Sequence, residues 1–229
     1  LADFPHYLMH RAEQLENLYI FKNTEGTPEN IRKFHPNIIV SSTGSAPLLP
    51  PITGLKDRID NEKHNIYSIL GMISHINDFP KDLEGKKVVV VGGGAVGLDV
   101  VEFFADRNAD ISIVEMMDQI GRDLDPVSKN DTKAMMKKHN VHQLTKTALL
   151  EVKDSSFLVK GDGEPYELPF EYGFVCLGMR AQGQLYQNLT EEFSSEDVEI
   201  MNIGDSQRAR RIIDGTQEGR NILTILEQR

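Results

Sequence analysis

The sequence predicts an α/β fold built on a parallel sheet covered on both faces, and three observations predict it. A run of four valines at 88–91 has the continuous apolar character of a strand buried on both sides. A glycine turn at 92–94 follows, and then a helical pattern over 95–105 with Val100, Val101 and Phe104 on its apolar side. A second β-branched strand at 111–114 completes a strand–helix–strand alternation, which is the signature of a parallel sheet.

The remaining elements surround this unit. Asp3 and Pro5 mark a helix start, and Leu8, Ala12 and Leu15 recur at helical spacing behind them. Residues 18–21 read as a short strand. Thr27-Pro28-Glu29-Asn30 opens a second helix, with proline in the first turn and an acid where the dipole favours one. Ile38-Ile39-Val40 is a strand running into Ser41-Ser42-Thr43-Gly44-Ser45, after which Pro47, Pro50 and Pro51 force an extended crossing. Part of 67–83 is helical, and Asp125-Pro126 starts a lysine-bearing helix to about 139. Segments 147–152, 156–160 and 166–168 form a β-meander punctuated by Gly161-Asp162-Gly163, and 172–177 is another buried strand. A strand at 198–203 and a helix at 212–226 close the order, with Ile213, Ile222, Leu223 and Leu226 forming an apolar stripe to be buried. The flanks at 1–50 and 195–229 thus bracket a self-contained block at about 85–190, as when one domain is inserted into another.

Composition narrows the function classes. The 229 residues, 39% hydrophobic and 26% charged, suit a soluble globular chain of one large or two ordinary domains. A net charge of −10 argues against a nucleic-acid partner. No apolar run approaches the roughly 20 residues of a membrane span. Lys133, Lys137 and Lys138 read as a solvated helix face; Arg208, Arg210 and Arg211 read as a solvated loop, with an approach to phosphate or flavin as the alternative. The single cysteine, Cys176, excludes an internal disulfide or a Cys-x-x-Cys pair, and its apolar run makes it a buried small hydrophobe. A cytoplasmic location follows. The N-terminus carries neither an initiator Met nor a signal sequence, and reads as a start in mid-protein.

Gly92-Gly93-Gly94-Ala95-Val96-Gly97 matches G-x-G-x-x-G between a strand and a helix. The three motif glycines serve different ends. Gly92 makes the tight turn, Gly94 admits a pyrophosphate to the backbone, and Gly97 lets helix and strand approach. The free amides and positive end of the helix near Ala95 favour the anion. Glu115 ends the next strand close to the expected ~20 residues on, where a carboxylate accepts from both ribose hydroxyls and repels a 2′-phosphate. These features predict binding of NAD, with NADH favoured over NADPH because Met116 and Met117 add no positive charge. Arg122, seven residues on, is the one group that would soften that preference by folding back.

With this motif placed, the chain resembles the pyridine nucleotide-disulfide oxidoreductase superfamily, the two-dinucleotide flavoproteins. Ser42-Thr43-Gly44 is similar to the family's Ala-Thr-Gly exit from the FAD domain, and Ile203-Gly204-Asp205 to its later Gly-Asp segment. The flanks 1–21 and 211–220 resemble the C-terminal part of NADH:flavin oxidoreductases of the 2,4-dienoyl-CoA reductase, 2-enoate reductase and trimethylamine dehydrogenase type. The resemblance implies a Rossmann-like NAD domain at 71–192 inserted into a partial FAD domain at 1–70 and 193–229. It further implies that Thr43, Gly44 and Asp205 face FAD in the parent protein, Asp205 at the ribityl chain, and that the remainder of the parent flavoenzyme is the partner. Three departures accompany it. No second glycine loop is present for the FAD pyrophosphate, one cysteine holds no iron–sulfur cluster, and Arg180-Ala181-Gln182 stands where the family often has Arg-Pro-Asn.

The other candidates have competing structural readings. Gly178, at a strand's carboxyl end, is either near the nicotinamide ribose or a turn glycine. His6, His10 and Glu13 share a helical face, for which a solvated surface competes with a metal site, and we assign no metal ligands. No pattern identifies a catalytic acid, base or nucleophile, and no Gly-x-Ser-x-Gly elbow surrounds Ser41, Ser42 or Ser45. The function expected is therefore the NAD(H)-binding part of a flavin-dependent oxidoreductase passing hydride between NADH and FAD. Two alternatives stand beside it: an inactive nucleotide-binding module, and an S-adenosylmethionine-dependent methyltransferase.

Overall fold

A computed structural model describes residues 3–227 of the chain. It divides into two compact units, Ser42–Gln182 with Ile203–Arg229 and Leu1–Ser41 with Gly183–Asn202.

The larger unit is built on five parallel strands in the spatial order Ile66–Tyr67, Tyr172–Val175, Lys87–Val91, Asp110–Val114, His142–Leu144. The valine strand occupies the centre and needs apolar groups on both faces. Val88 and Val90 pack with Val100, Val101 and Phe104 of the helix Ala95–Ala105 and with Met136 of Pro126–Lys138. Val89 and Val91 point the other way, against Leu55, Val152, Phe157 and Val159. The second face is covered by an antiparallel meander of Ala148–Val152, Ser156–Lys160 and Tyr166–Pro169. The sheet is thus a middle layer between helices and a meander. A short antiparallel pair, Ser45–Pro47 with Met179–Ala181, lies beside it.

The helices begin where the sequence predicts. Asp125 caps Pro126–Lys138 by accepting from the Val127 and Ser128 amides, and the Ser128 hydroxyl, followed by the Ser128 amide, holds its carboxyl below its ordinary pKa. Lys133, Lys137 and Lys138 are exposed on this helix.

The smaller unit pairs Ile38–Ser41 in parallel with Glu199–Asn202. Ile39, Leu189 and Phe193 form its core, the last two from the helix Gln184–Glu192 and its C-cap. Arg32 of Pro28–Arg32 clamps that helix end: it pairs with Glu192 at 3.2 Å and Glu196 at 3.1 Å and lies over the Phe193 ring at 4.8 Å. Thr27 caps Pro28–Arg32, accepting from the Asn30 amide at 3.2 Å.

Three expectations are corrected. Residues 18–21 form no strand: the segment finds no pairing partner and Leu18, Tyr19, Ile20 and Phe21 are exposed. The helix Asp3–Glu13 is present but ends short of Leu15, and Leu8 and Leu15 are both exposed. The apolar stripe on Ile212–Glu227 is likewise not a buried face, with Ile213 58% and Leu223 70% exposed. The Leu226 side chain lies outside the described residues. That helix approaches 203–206 through glycines instead: a methyl on Gly215 would meet the Gly204 Cα at 3.4 Å, and one on Gly219 the Ile203 side chain at 3.9 Å.

Candidate functional site

The order of strands in the parallel sheet reverses between Lys87–Val91 and Tyr172–Val175, so the crevice beyond their carboxyl ends is where an open α/β sheet accommodates ligands. A cleft of about 810 Å³ opens there. Gly92, Gly93, Gly94, Ala95 and Val96 form its floor, Glu115 and Met116 one end, and Cys176 to Gly178 the opposite strand end.

The glycine turn is shaped by close backbone approach. Gly92 has φ +110, and a Cβ there would stand 2.1 Å from the Cys176 carbonyl oxygen. A Cβ on Gly97 would lie 1.9 Å from the Gly92 carbonyl oxygen, so this glycine sets how near the helix comes. Gly94 differs: its φ is −79, and a Cβ would meet nothing within 4 Å. The space beside it is open, and no side chain caps the helix that starts at Ala95. Its first amides therefore point into the cleft without an intrahelical partner.

Glu115 is fixed on both sides. Its backbone continues the sheet by donating to Leu144 and accepting from Thr147, both at 2.9 Å. One carboxylate oxygen accepts from the Gly93 amide at 2.6 Å and the other from the Met117 amide at 2.7 Å. The Gly121 amide donates to the Gly93 carbonyl at 2.7 Å, and this bond folds residues 116–124 back along the glycine turn. Arg122 is thereby brought to the cleft, where Gln119 and Asp123 also line the wall. The far wall is apolar and comes from Pro50, Ile52, Ala148 and Leu149. Periodicity gives no signal for these residues, because they reach the cleft from loops and the meander.

Cys176 is buried at the cleft floor. Burial, reinforced by the Asp99 carboxylate, pushes its thiol up to about 12. Asp99 is itself raised, by burial first and then by Glu102. Gly178 has φ +105 and open space at its missing Cβ, and its carbonyl accepts from the Leu48 amide at 2.9 Å. It is a turn glycine and a lining residue at once.

Thr43, Gly44 and Asp205 are not among the residues lining this cleft; they form a second cluster in the same unit. The Thr43 hydroxyl donates to the Gln182 carbonyl at 2.8 Å, and the Gly44 carbonyl accepts from the Gln182 amide at 3.0 Å. Asp205 accepts from the Ser45 hydroxyl at 3.2 Å and from the Arg210 amide at 3.0 Å. Glu218 accepts from the Gly204 amide at 2.7 Å and pairs with Arg210, and these two contacts, the amide first, hold its carboxyl below its ordinary value. Arg210 is exposed, as are Arg208 and Arg211, and is ion-paired as well. At the N-terminal helix, His10 contacts Gln14 at 3.1 Å on an exposed face.

Comparison with known proteins adds the following. The curated relatives include a metal reductase of Desulforamulus reducens, 27% identical, matched over 96% of this chain and 36% of that protein. An NADH oxidase of Thermoanaerobacter brockii is 26% identical, matched over 83% of this chain and 28% of its own length. The chain thus spans about a third of the length of these relatives. Among solved structures, a 2-naphthoyl-CoA reductase in complex with 2-naphthoyl-CoA superposes with a TM-score of 0.78 at 21% identity, over 95% of this chain and 31% of that one. The likeness shows the same fold, flanking segments included. No helix among the described residues is long and apolar enough to cross a membrane. A family model described as pyridine nucleotide-disulphide oxidoreductase matches residues 16–201, and the chain belongs to that family.

Proposed function

We propose that the chain is the NAD(H)-binding part of a flavin-dependent oxidoreductase, and that NADH binds in the cleft at the Gly92 turn. The observation that carries this reading is the conjunction, at the switch point of the sheet, of an uncapped helix start, open space at Gly94 and a braced acid at Glu115. When bound, NADH would supply a hydride from its nicotinamide ring. The chain's part is binding and orientation. The amides of Ala95 and Val96 face the pyrophosphate, with Gly94 leaving room for it. Each Glu115 oxygen, already holding one amide, has a lone pair left for a ribose hydroxyl. Gly178 leaves the nicotinamide end unobstructed, and Ile52, Leu149 and Leu177 keep water from the dinucleotide's apolar faces.

The same reading gives residues 71–192 the NAD domain and places 1–70 and 193–229 in a partial FAD domain within a longer, cytoplasmic flavoenzyme. Relatives about three times as long, among them an NADH oxidase, support it. The FAD side fits only in part. Thr43, Gly44 and Asp205 gather in one cluster, but this sequence supplies no second glycine loop for a pyrophosphate. We therefore derive no step through FAD. The alternative reading is a nucleotide-binding module without catalysis, supported by the lack of a second glycine loop in this sequence. The family to which the chain belongs weighs against the S-adenosylmethionine reading.

Titrating the 229-residue chain with NADH while following nicotinamide fluorescence tests the proposal. A saturable change is expected, and its absence with both NADH and NADPH overturns the reading. Flavin absorbance in the purified protein separates the enzyme part from the module, which would be colourless.

A further inference from the structure

The apolar wall of the cleft is a seam between two stretches of the chain. Pro50 and Ile52 come from a strap at 50–58, Ala148 and Leu149 from the first strand of the meander. Strict alternation along Ala148–Val152 would put Leu150 on the face that Val152 turns to the core. The register instead breaks between Leu149 and Glu151. Leu149, opposite Val159, thereby shares the face of Val152, opposite Phe157, and Leu150 is left 40% exposed. A bulge beside a cleft re-aims a side chain, and here it turns Leu149 to the wall.

The strap meets the strand just past this bulge. Thr53 bridges in parallel to Glu151, and its carbonyl accepts from the Val152 amide at 2.9 Å. Gly54 follows with φ +76, and a Cβ there would stand 2.2 Å from the Val152 carbonyl oxygen, so glycine lets the two backbones close. Arg58 ends the short helix Leu55–Arg58 and ties it to the meander. Its Nε donates to Asp154 Oδ1 at 2.8 Å, and a second guanidinium nitrogen donates to the Gly54 carbonyl at 3.5 Å. His64 Nδ1 stands 3.8 Å from the same Asp154 oxygen. Asp154 is 72% exposed, so the pair adds little to global stability. Its leverage is local, on how closely strap and strand are seated.

We propose that Arg58 and Asp154 are positioning residues for the bound dinucleotide: by seating residues 50–58 against Ala148–Val152 they set the spacing of Ile52 and Leu149, the wall on which the nucleotide lies. The proposal rests on the cleft being the NAD(H) site. A chain whose strap lifts must reseat it on binding, so a weaker seam reads out as a weaker nucleotide affinity.

The test combines fluorescence titration with NADH and hydrogen exchange at the Val152 amide. It compares the unmodified chain with Arg58→Ala, Asp154→Ala, the double variant, and the swapped pair Arg58→Asp with Asp154→Arg. Each single variant is expected to raise the dissociation constant about two- to fivefold, the range of one exposed ion pair, and to quicken Val152 exchange by a similar factor. The double variant should lose no more than either single, because both remove the same contact, and the swapped pair should recover part of the loss. Gly54→Ala, which prises the backbones apart, should cost about tenfold. If it does not fold, the ion-pair variants decide alone. A merely structural pair would lower the melting temperature and leave the constant where it was. Unchanged constants, losses that add in the double variant, or unchanged Val152 exchange each overturn the proposal. If the unmodified chain binds neither NADH nor NADPH, the NAD(H) reading falls, and Val152 exchange then judges the seam by itself.

Discussion

The Gly92 turn and the Gly204 turn lie in the same unit, and each follows a strand and precedes a helix, yet they dispose of their polar groups in opposite ways. At Gly92 the helix start is uncapped and the space beside Gly94 is open. At Gly204 the amide is taken by Glu218 and Glu218 by Arg210. The first turn offers donors to a ligand at no cost in internal bonds. At the second, a ligand that needs the Gly204 amide must replace a bond the chain already makes, worth about 1 kcal/mol net. A preorganised site and a self-satisfied one can thus carry similar short motifs, and the hydrogen-bond partners separate them.

The strongest way to break this contrast is to disturb the backbone approach beneath the cleft. Gly92→Ala places a methyl 2.1 Å from the Cys176 carbonyl at φ +110, and we expect a loss of about 3 kcal/mol. In a chain of this size that lowers Tm by roughly 6–12 °C, read by thermal denaturation. Gly94→Ala is its control. With nothing within 4 Å and an ordinary φ, it should melt close to the unmodified chain while its methyl enters the space assigned to the pyrophosphate. Gly94→Ala with undiminished NADH affinity would remove the glycine turn from the binding site.

Glu115→Ala comes next. It removes the acceptor for the Gly93 and Met117 amides as well as the proposed ribose contact, so NADH affinity should fall roughly tenfold to a hundredfold. NADPH, whose 2′-phosphate the carboxylate repels, should lose less. A variant that loses both equally would confine Glu115 to bracing the turn.

Much of the Gly92 region is legible in the sequence, and its physical reason is local. The helix Ala95–Ala105 has the predicted bounds because a glycine turn, an apolar stripe and a strand on either side all specify the same geometry within some thirty residues. The helix Gln184–Glu192 is not among the predicted elements, although Leu185, Leu189 and Phe193 stand at helical spacing; that repeat is the available signal. His142–Leu144 is also unpredicted, because an edge strand of three half-polar residues has no alternation to detect. Residues 18–21 fail in the other direction. Their composition is strand-like, but a strand requires a partner ladder, which no single segment encodes. The far wall of the cleft and the bonding of Asp205 depend on residues from distant parts of the chain, Ser45 and Asp205 being 160 positions apart, beyond any motif's reach.

The Gly204 side of the contrast can be sharpened with pH. The Gly204 amide and Arg210 hold Glu218 below its ordinary value of about 4.3. Its stabilising effect is therefore fully present above that value and is lost as pH falls through the lower folded value. Amide exchange at Gly204 should quicken relative to the rest of the chain as pH drops below about 4. Glu218→Gln should abolish that dependence. The same pH profile in both proteins would mean that Glu218 does not hold the turn closed.

The smallest effect concerns the floor of the cleft. Cys176 borders the proposed nucleotide site, and its apolar run reads as that of a buried small hydrophobe. Burial against the sheet's helical face and the neighbouring Asp99 carboxylate both disfavour the thiolate, pushing the group up to about 12. Nucleophilicity resides in the thiolate, so the folded chain at pH 8 should react with iodoacetamide roughly a thousandfold more slowly than the denatured chain. Binding of NADH should slow it little further, because the sulfur is already withdrawn from solvent. Rapid labelling of the folded chain, suppressed by NADH, would instead place the thiol in the open cleft and make the Gly92 site less rigid than its backbone contacts imply.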